Sequence, residues 1–280
     1  MEKSMIKTSI QKILLVSDLD GTLLNKNKKI SEENERAIKE FMRMGGLFTI
    51  ATGRMEDGVV PFLHQLGVNI PVVLYNGTKI YCPIKKEVLY EKKLTVKPET
   101  LEKIISIHGE DVAILLYQDS QIYTPDRNHL VLKHETLEGV KCKGLSERQV
   151  RDSFTKILVM AVTNERAKEV EKMIRQMDLA CDMVYSEETY LEILAPEVSK
   201  GAALSVLKEM LEIEDYYTIA VGDQLNDVSL MKAADLGIAV GNAHGDLKKV
   251  ADAVTVHHEE HAIAAIIKEL DVLVKAEGIA

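Results

Sequence analysis

The chain predicts an α/β fold, in which a parallel sheet is assembled from both ends of the sequence around an inserted α+β domain. Three observations predict it. Apolar β-rich runs alternate with helix-period segments in both flanks, the rhythm of βαβ units. The middle changes to short strand-like runs of a different texture. Four runs of the flanks end in small or polar residues, as strands do where their loops surround a crevice.

The elements follow in order. The run Ile13-Leu14-Leu15-Val16 is short, apolar and bounded by polar residues, a buried strand. Ser31 is placed to cap a helix reaching Met44, and Gly45 to end it. Leu47 to Ala51 and Val72 to Tyr75 are the next strands, the second followed by Asn76-Gly77. From about Ile84 the pattern changes. Strands are expected at Val112–Tyr117, Gln121–Tyr123 and Ile157–Val162, with helices near Pro98–His108 and Asn164–Met177. Met183–Tyr185 and Tyr190–Leu194 form a hairpin pair. The α/β rhythm returns at Ser199, a cap for a helix to about Leu211. Strands then follow at Tyr217–Val221, Gly237–Val240 and Ala253–Val256, and an amphipathic helix from His261. The domains expected are a discontinuous core, 1–83 with 196–280, and an insertion, 84–195.

Composition bounds the function. The 280 residues are 46% apolar, enough for a sizeable core. With 35 basic and 44 acidic residues the net charge is -9, which argues against a general nucleic-acid binder. The three cysteines, Cys82, Cys142 and Cys181, lie far apart without a C-x-x-C, so reduced thiols in a cytoplasmic protein are expected. The N-terminal MEKSMIKTSIQK is polar and lysine-broken, unlike a signal peptide, and no apolar stretch approaches membrane-spanning length.

The chemistry gathers at strand ends. The first strand delivers Asp18 and Asp20 side by side, and two such acids need a cation or a proton to settle them. The other strand ends carry Thr52-Gly53-Arg54, Asn76-Gly77, and Asp223 with Asn226 and Asp227. Asp18 and Asp223 can share one divalent cation, and a small all-oxygen site suits Mg2+. Thr52 offers a hydroxyl to an anion. Lys200 stands in the first turn of its helix, where the dipole disfavours a cation unless an anion lies beside it. A carboxylate nucleophile becomes competent once metal and lysine screen it from an anionic substrate, with Asp20 as acid and base. Beside Asp18, Asp20 is expected to keep a proton for the leaving oxygen.

DLDGTLL after a strand, then ATGR, SKGAAL and GDQLNDVSLM, resembles the four-motif set of the haloacid dehalogenase-like (HAD) phosphatases. The large insertion resembles the Cof-type, class IIB branch, and motifs and insertion together span essentially the whole chain. The resemblance implies a Rossmann-like core with an α/β cap domain. It implies Asp18 as the nucleophile that becomes an aspartyl-phosphate, and Asp20 as general acid/base. It implies phosphoryl binding by Thr52 and Lys200, and magnesium held by the Asp18 carboxylate, the Asp20 carbonyl and Asp223. Asp227 would support Lys200 or a metal-bound water, Asn226 would touch phosphate, and Arg54 and Asn76 match positions lining the site. The implied substrate is a small phosphorylated metabolite such as a sugar phosphate. A phosphomutase and a non-catalytic phosphometabolite binder are the alternatives, separated by product analysis and by turnover.

Blander readings apply elsewhere. An EF-hand reading fails because Leu23 and Lys29 occupy the glycine and terminal-acid positions. His257-His258-Glu259-Glu260-His261 does not fit H-E-x-x-H, and a solvated loop is expected, although related chains usually carry glycine at His261. Lys26 to Lys29 reads as a solvated turn. Arg54 serves a salt bridge as readily as a substrate, and Glu192 is a suspect for specificity.

Overall fold

The computed structural model describes residues 9–119, 121–145 and 152–276, with side chains to 270. Its elements, in chain order, begin with β1 (Ile13–Ser17), α1 (Glu32–Arg43), β2 (Leu47–Ile50), α2 (Glu56–Leu66), β3 (Val72–Leu74), β4 (Lys79–Cys82) and β5 (Glu87–Glu91). Next come β6 (Leu94–Thr95), α3 (Pro98–Ile105), β7 (Val112–Gln118), β8 (Gln121–Thr124), α4 (His129–Glu138) and β9 (Cys142–Gly144). They are followed by β10 (Ser153–Phe154), β11 (Lys156–Ala161), α5 (Asn164–Arg175), β12 (Asp182–Glu187) and β13 (Tyr190–Leu194). The chain closes with α6 (Lys200–Met210), β14 (Tyr217–Gly222), α7 (Val228–Ala233), β15 (Leu236–Ala239), α8 (Gly245–Val250), β16 (Ala253–Val254) and α9 (Ala262–Ala276). Contacts divide it into two compact units, Met1–Tyr90 with Ser199–Ala280, and Glu91–Val198. No described helix is long and apolar enough to cross a membrane.

The first unit is built on a parallel sheet of order β16-β15-β14-β1-β2. Its centre is the predicted apolar run: Ile13, Leu14, Leu15 and Val16 are fully buried, and Leu15 lies opposite Ile219 and Phe48. Each such side chain contributes about 1.5–3 kcal/mol by leaving water. Continuous apolar runs are expected of strands covered on both faces. Ser31 caps α1 by accepting from the Asn34 N–H at 3.2 Å, and the helix ends at Met44 with Gly45 at φ 97°. A parallel bridge from Ala51 to Val73 attaches the antiparallel pair β3–β4, with β5 beyond it.

The second unit is a six-stranded sheet, β12-β13-β11-β7-β8-β9, antiparallel except between β8 and β9. Side-chain alternation sorts its faces. Ile114, Leu116, Ile157, Val159, Leu191 and Ile193 form a core with Leu101 and Ile104 of α3 and with Ala167, Val170 and Ile174 of α5. Tyr117, Lys156 and Glu192 belong to the alternate positions and are also buried. Lys156 and Glu192 pair at 2.9 Å, and Tyr117 Oη lies 3.1 Å from His134 Nε2 of α4. Glu192, suspected above of choosing substrate, thus spends its charge on Lys156.

Two expectations are corrected here. The histidine stretch is not a free loop. His258–Glu260 is a 3-10 turn, with His258 Nδ1 2.8 Å from the Leu24 carbonyl and His261 Nδ1 2.9 Å from Ser31 Oγ. His261 sits at φ 61°, the left-handed region that explains why glycine suits this position. α2, α4, α7 and α8 were not foreseen: α2 carries Pro61 inside it, α4 lacks an apolar stripe, and α7 and α8 are only 6 residues each.

Candidate active site

The C-terminal ends of β1, β2 and β14 and the N-terminus of α6 supply the site. After β1, Asp18 leaves the sheet with its N–H donating to the Val221 carbonyl at 2.8 Å, so its backbone is locked to β14. The turn Leu19–Leu23 then needs glycine: Gly21 has φ 71°, and a Cβ there would lie 2.4 Å from Asp223 Oδ2. That close approach lets strands from opposite ends of the chain bring their acids together.

Lys200 occupies the centre. It is fully buried, and its Nζ donates to Asp18 Oδ1 and Asp227 Oδ1, both at 2.6 Å. Burial alone would lower its pKa, but the two carboxylates more than offset this and raise it. The unfavourable position at the start of α6 is thus answered by two carboxylates, whereas the sequence reading takes the anion to be phosphate. Asp227 is engaged on both oxygens, since Oδ2 accepts from the N–H groups of Asp223 and Gln224 at 2.9 and 3.1 Å.

Asp18, Asp223 and Asp227 each place a carboxylate oxygen within 4.8 Å of the others, and all three are buried. Asp18 is pushed up to about 7, first by burial and then by Asp227, with Lys200 opposing. Asp223 is raised well above the carboxylate range by burial and by Asp18, against Lys200 and Thr22, whose Oγ1 donates to Asp223 Oδ1 at 3.2 Å. Buried acids held so close call for a positive partner beyond one lysine. Hard oxygen donors alone are the chemistry of magnesium-type sites, so these residues fit a divalent cation. Among the described residues no histidine or cysteine joins such a group.

Asp20 departs from expectation. Arg54 grips it in bidentate fashion, Nε to Oδ2 at 2.6 Å and Nη2 to Oδ1 at 2.7 Å, and Lys28 Nζ adds a bond to Oδ1 at 2.6 Å. Burial would raise its pKa, but Arg54 and Lys28 outweigh burial and hold it below the usual value. This pairing favours the ionised form of Asp20 over the retained proton expected from the sequence. Of this pair it is Asp18, with the raised pKa, that lies nearer to protonation. The Lys26–Lys29 turn is correspondingly more than a solvated turn, because Lys28 reaches the site.

Thr52 is buried, and its Oγ1 accepts from the Arg54 N–H at 3.2 Å. Asn76 and Asn226 meet directly, Asn226 Nδ2 donating to Asn76 Oδ1 at 3.0 Å. All nine residues singled out in the sequence thus belong to one connected set of loops. Sequence reasoning missed Thr22, Lys28 and Asn242, whose Nδ2 donates to the Gly21 carbonyl at 2.8 Å. Thr22 stood inside the first motif, whereas the roles of Lys28 and Asn242 are set by loop geometry.

Comparison with known proteins agrees. The haloacid dehalogenase-like hydrolase profile matches residues 15–267. "Phosphatase YwpJ" of Bacillus subtilis (strain 168) is 31% identical, covering 92% of this chain and 99% of its own. A solved haloacid dehalogenase-like hydrolase from B. subtilis is 30% identical with TM-score 0.79, over 92% of this chain and 99% of that one. The solved HAD subclass IIB sugar phosphatase BT4131 shares the fold at 22% identity and TM-score 0.79, over 92% and 98%. The chain belongs to the haloacid dehalogenase-like hydrolase family.

Proposed function

We propose that this chain, a HAD-type phosphoric monoester hydrolase, is a magnesium-dependent phosphatase of small phosphorylated metabolites, sugar phosphates among them, working through an aspartyl-phosphate on Asp18. The observation that carries the reading is the meeting of Asp18, Lys200 and Asp223 at one buried point. An acid/base residue, Asp20, stands two positions from the nucleophile. The net charge of -9 supports small substrates over nucleic acid. The free cysteines support a cytoplasmic location. The insertion, 84–195 in the sequence reading, is taken as a cap that selects the leaving group.

In this mechanism Asp18, Asp223 and the Asp20 carbonyl would hold the ion. When bound, magnesium neutralises the acids and polarises a phosphoryl oxygen. Lys200 and Thr52 hold the phosphoryl group, and Asp227 fixes Lys200. An Asp18 carboxylate oxygen attacks phosphorus while the leaving oxygen takes a proton from Asp20. Water then attacks the acyl phosphate, Asp20 takes the water's proton, and inorganic phosphate and free Asp18 result. Arg54 and Lys28 hold Asp20 in its base form, suited to the second half-reaction. For the first, Asp20 must take up a proton from solvent, which its pairing with Arg54 and Lys28 disfavours.

Asp18→Asn tests the reading with p-nitrophenyl phosphate and magnesium. Turnover is expected to fall by at least about a thousandfold. Near-normal magnesium-dependent release of phosphate from the variant refutes the nucleophile. Wild-type protein that returns the phosphoryl group to another hydroxyl without free phosphate refutes hydrolysis.

A further inference from the structure

The turn 25–29 holds a lysine in a backbone conformation that suits lysine poorly. Lys28 has φ 56°, in the left-handed region where glycine or asparagine sits with less strain. The rest of the turn keeps it there. Leu24 and Ile30 close the turn with an antiparallel bridge, and Asn25 Oδ1 accepts from the N–H groups of Asn27 and Lys29 at 2.9 and 3.1 Å. The histidine turn pins it from outside: His258 Nδ1 lies 2.8 Å from the Leu24 carbonyl, and Glu259 Oε1 accepts from the Lys26 N–H at 2.5 Å. Strain of this kind persists only where the surroundings fix it, and it gathers at functional sites.

The side chain so held reaches Asp20. Lys28 Nζ donates to Asp20 Oδ1 at 2.6 Å, the same oxygen that accepts from Arg54 Nη2. Asp20 does not need it for neutrality, because Arg54 already binds both carboxylate oxygens. Asp18 is answered separately by Lys200. One carboxylate facing two cations leaves one positive charge in excess, and the outer cation is Lys28, whose side chain is 52% exposed. An ion pair this exposed adds little to stability, so stability does not account for the strained lysine. An ammonium has three donors, and the bond to Asp20 uses one of them. On the phosphatase reading Asp20 protonates the leaving oxygen, so the alcohol half of the ester passes beside any group that touches the Asp20 carboxyl.

We infer that Lys28 is a specificity-determining residue for the leaving group, and that the preferred substrates are phosphate esters whose alcohol half carries a second anion, a carboxylate or another phosphate. The Lys28 ammonium keeps Asp20 and takes that anion with its remaining donors. The inference rests on the phosphatase reading for the orientation of the ester.

Three probes on one carbon skeleton test it: glycerol phosphate, phosphoglycerate and glycerol bisphosphate. Each is esterified at a terminal carbon, and the far end carries a hydroxyl, a carboxylate or a second phosphate. The variants of the full chain are Lys28→Asn, which suits the left-handed backbone, and Lys28→Glu. The readout is kcat/KM for each acidic probe divided by kcat/KM for glycerol phosphate, so an effect of the substitution on Asp20 is common to both and cancels. Wild type is expected to prefer at least one acidic probe, and which one separates carboxylate from phosphate recognition. Lys28→Asn is expected to lower that preference about fivefold, the loss of one ionic hydrogen bond at a half-exposed site. Lys28→Glu is expected to lower it further, since an anion then faces an anion. A purely structural role slows all three probes alike. A ratio within about twofold of wild type in Lys28→Asn, or a wild type that prefers neither acidic probe, overturns the inference. If Lys28→Glu does not fold, Lys28→Asn decides alone. Calorimetric binding of the same probes with magnesium gives the same ratios without turnover. Wild-type protein that binds the probes but releases no phosphate refutes the phosphatase reading, and the binding ratios still judge Lys28.

Discussion

Lys200→Met removes the cation shared by two buried carboxylates. Its Nζ lies 2.6 Å from Asp18 and 2.6 Å from Asp227, with no exposure of its side chain to water. Methionine fills nearly the same space, so the cavity contribution is small and the loss is electrostatic. Removing one partner of a buried ion pair typically costs about 3–5 kcal/mol, because the abandoned charge stays buried. Here Asp18 is already raised to about 7 and Asp223 is raised well above the carboxylate range, so protonation relieves part of that penalty. The lower end, about 3 kcal/mol, is expected near neutral pH. At roughly 2–4 °C per kcal/mol for a body of this size, the melting temperature falls by about 6–12 °C. Calorimetric melts in EDTA read this directly. Magnesium should recover more of the loss in the variant than it adds to wild type, since it supplies the missing positive charge. A variant melting within roughly 2 °C of wild type in EDTA refutes the argument that Lys200 holds these acids together.

Further outcomes follow from other parts of the molecule. Gly77→Ala places a Cβ 2.2 Å from the Ser199 carbonyl oxygen at φ 106°, so urea denaturation should show a loss of about 3 kcal/mol or more. Burial, then Lys156, hold His134 near pKa 4, below its ordinary 6.5. Its neutral form is therefore favoured in the folded chain, and that stabilisation is complete above pH 6.5. It is lost as pH falls toward 4, by about 3 kcal/mol in all. His134→Gln should remove this dependence between pH 6.5 and 4 in urea titrations, and an unchanged pH profile refutes it. Chelation of divalent cations should abolish phosphate release, and magnesium should restore it; full activity in EDTA would sink the metal assignment.

The sequence by itself determined the α/β rhythm, because apolar runs and their spacing are local properties. Ile13–Val16 could be little other than a buried strand, and Ser31 and Ser199 could be read as caps from their neighbours alone. The residues of the site were legible for a related reason: loops at strand ends carry polar residues that the core would not otherwise use. Tertiary structure decided what those residues do to one another. Whether Asp18 or Asp20 lies nearer to protonation depends on which cation reaches which acid, and Lys28, Arg54 and Lys200 arrive from three separate segments. The same holds for Asn76, whose NG dipeptide reads as an ordinary turn until Asn226 arrives beside it. Charge and hydrogen-bond partnership fall off within a few ångströms, so only folding, which converts distance along the chain into distance in space, could settle them.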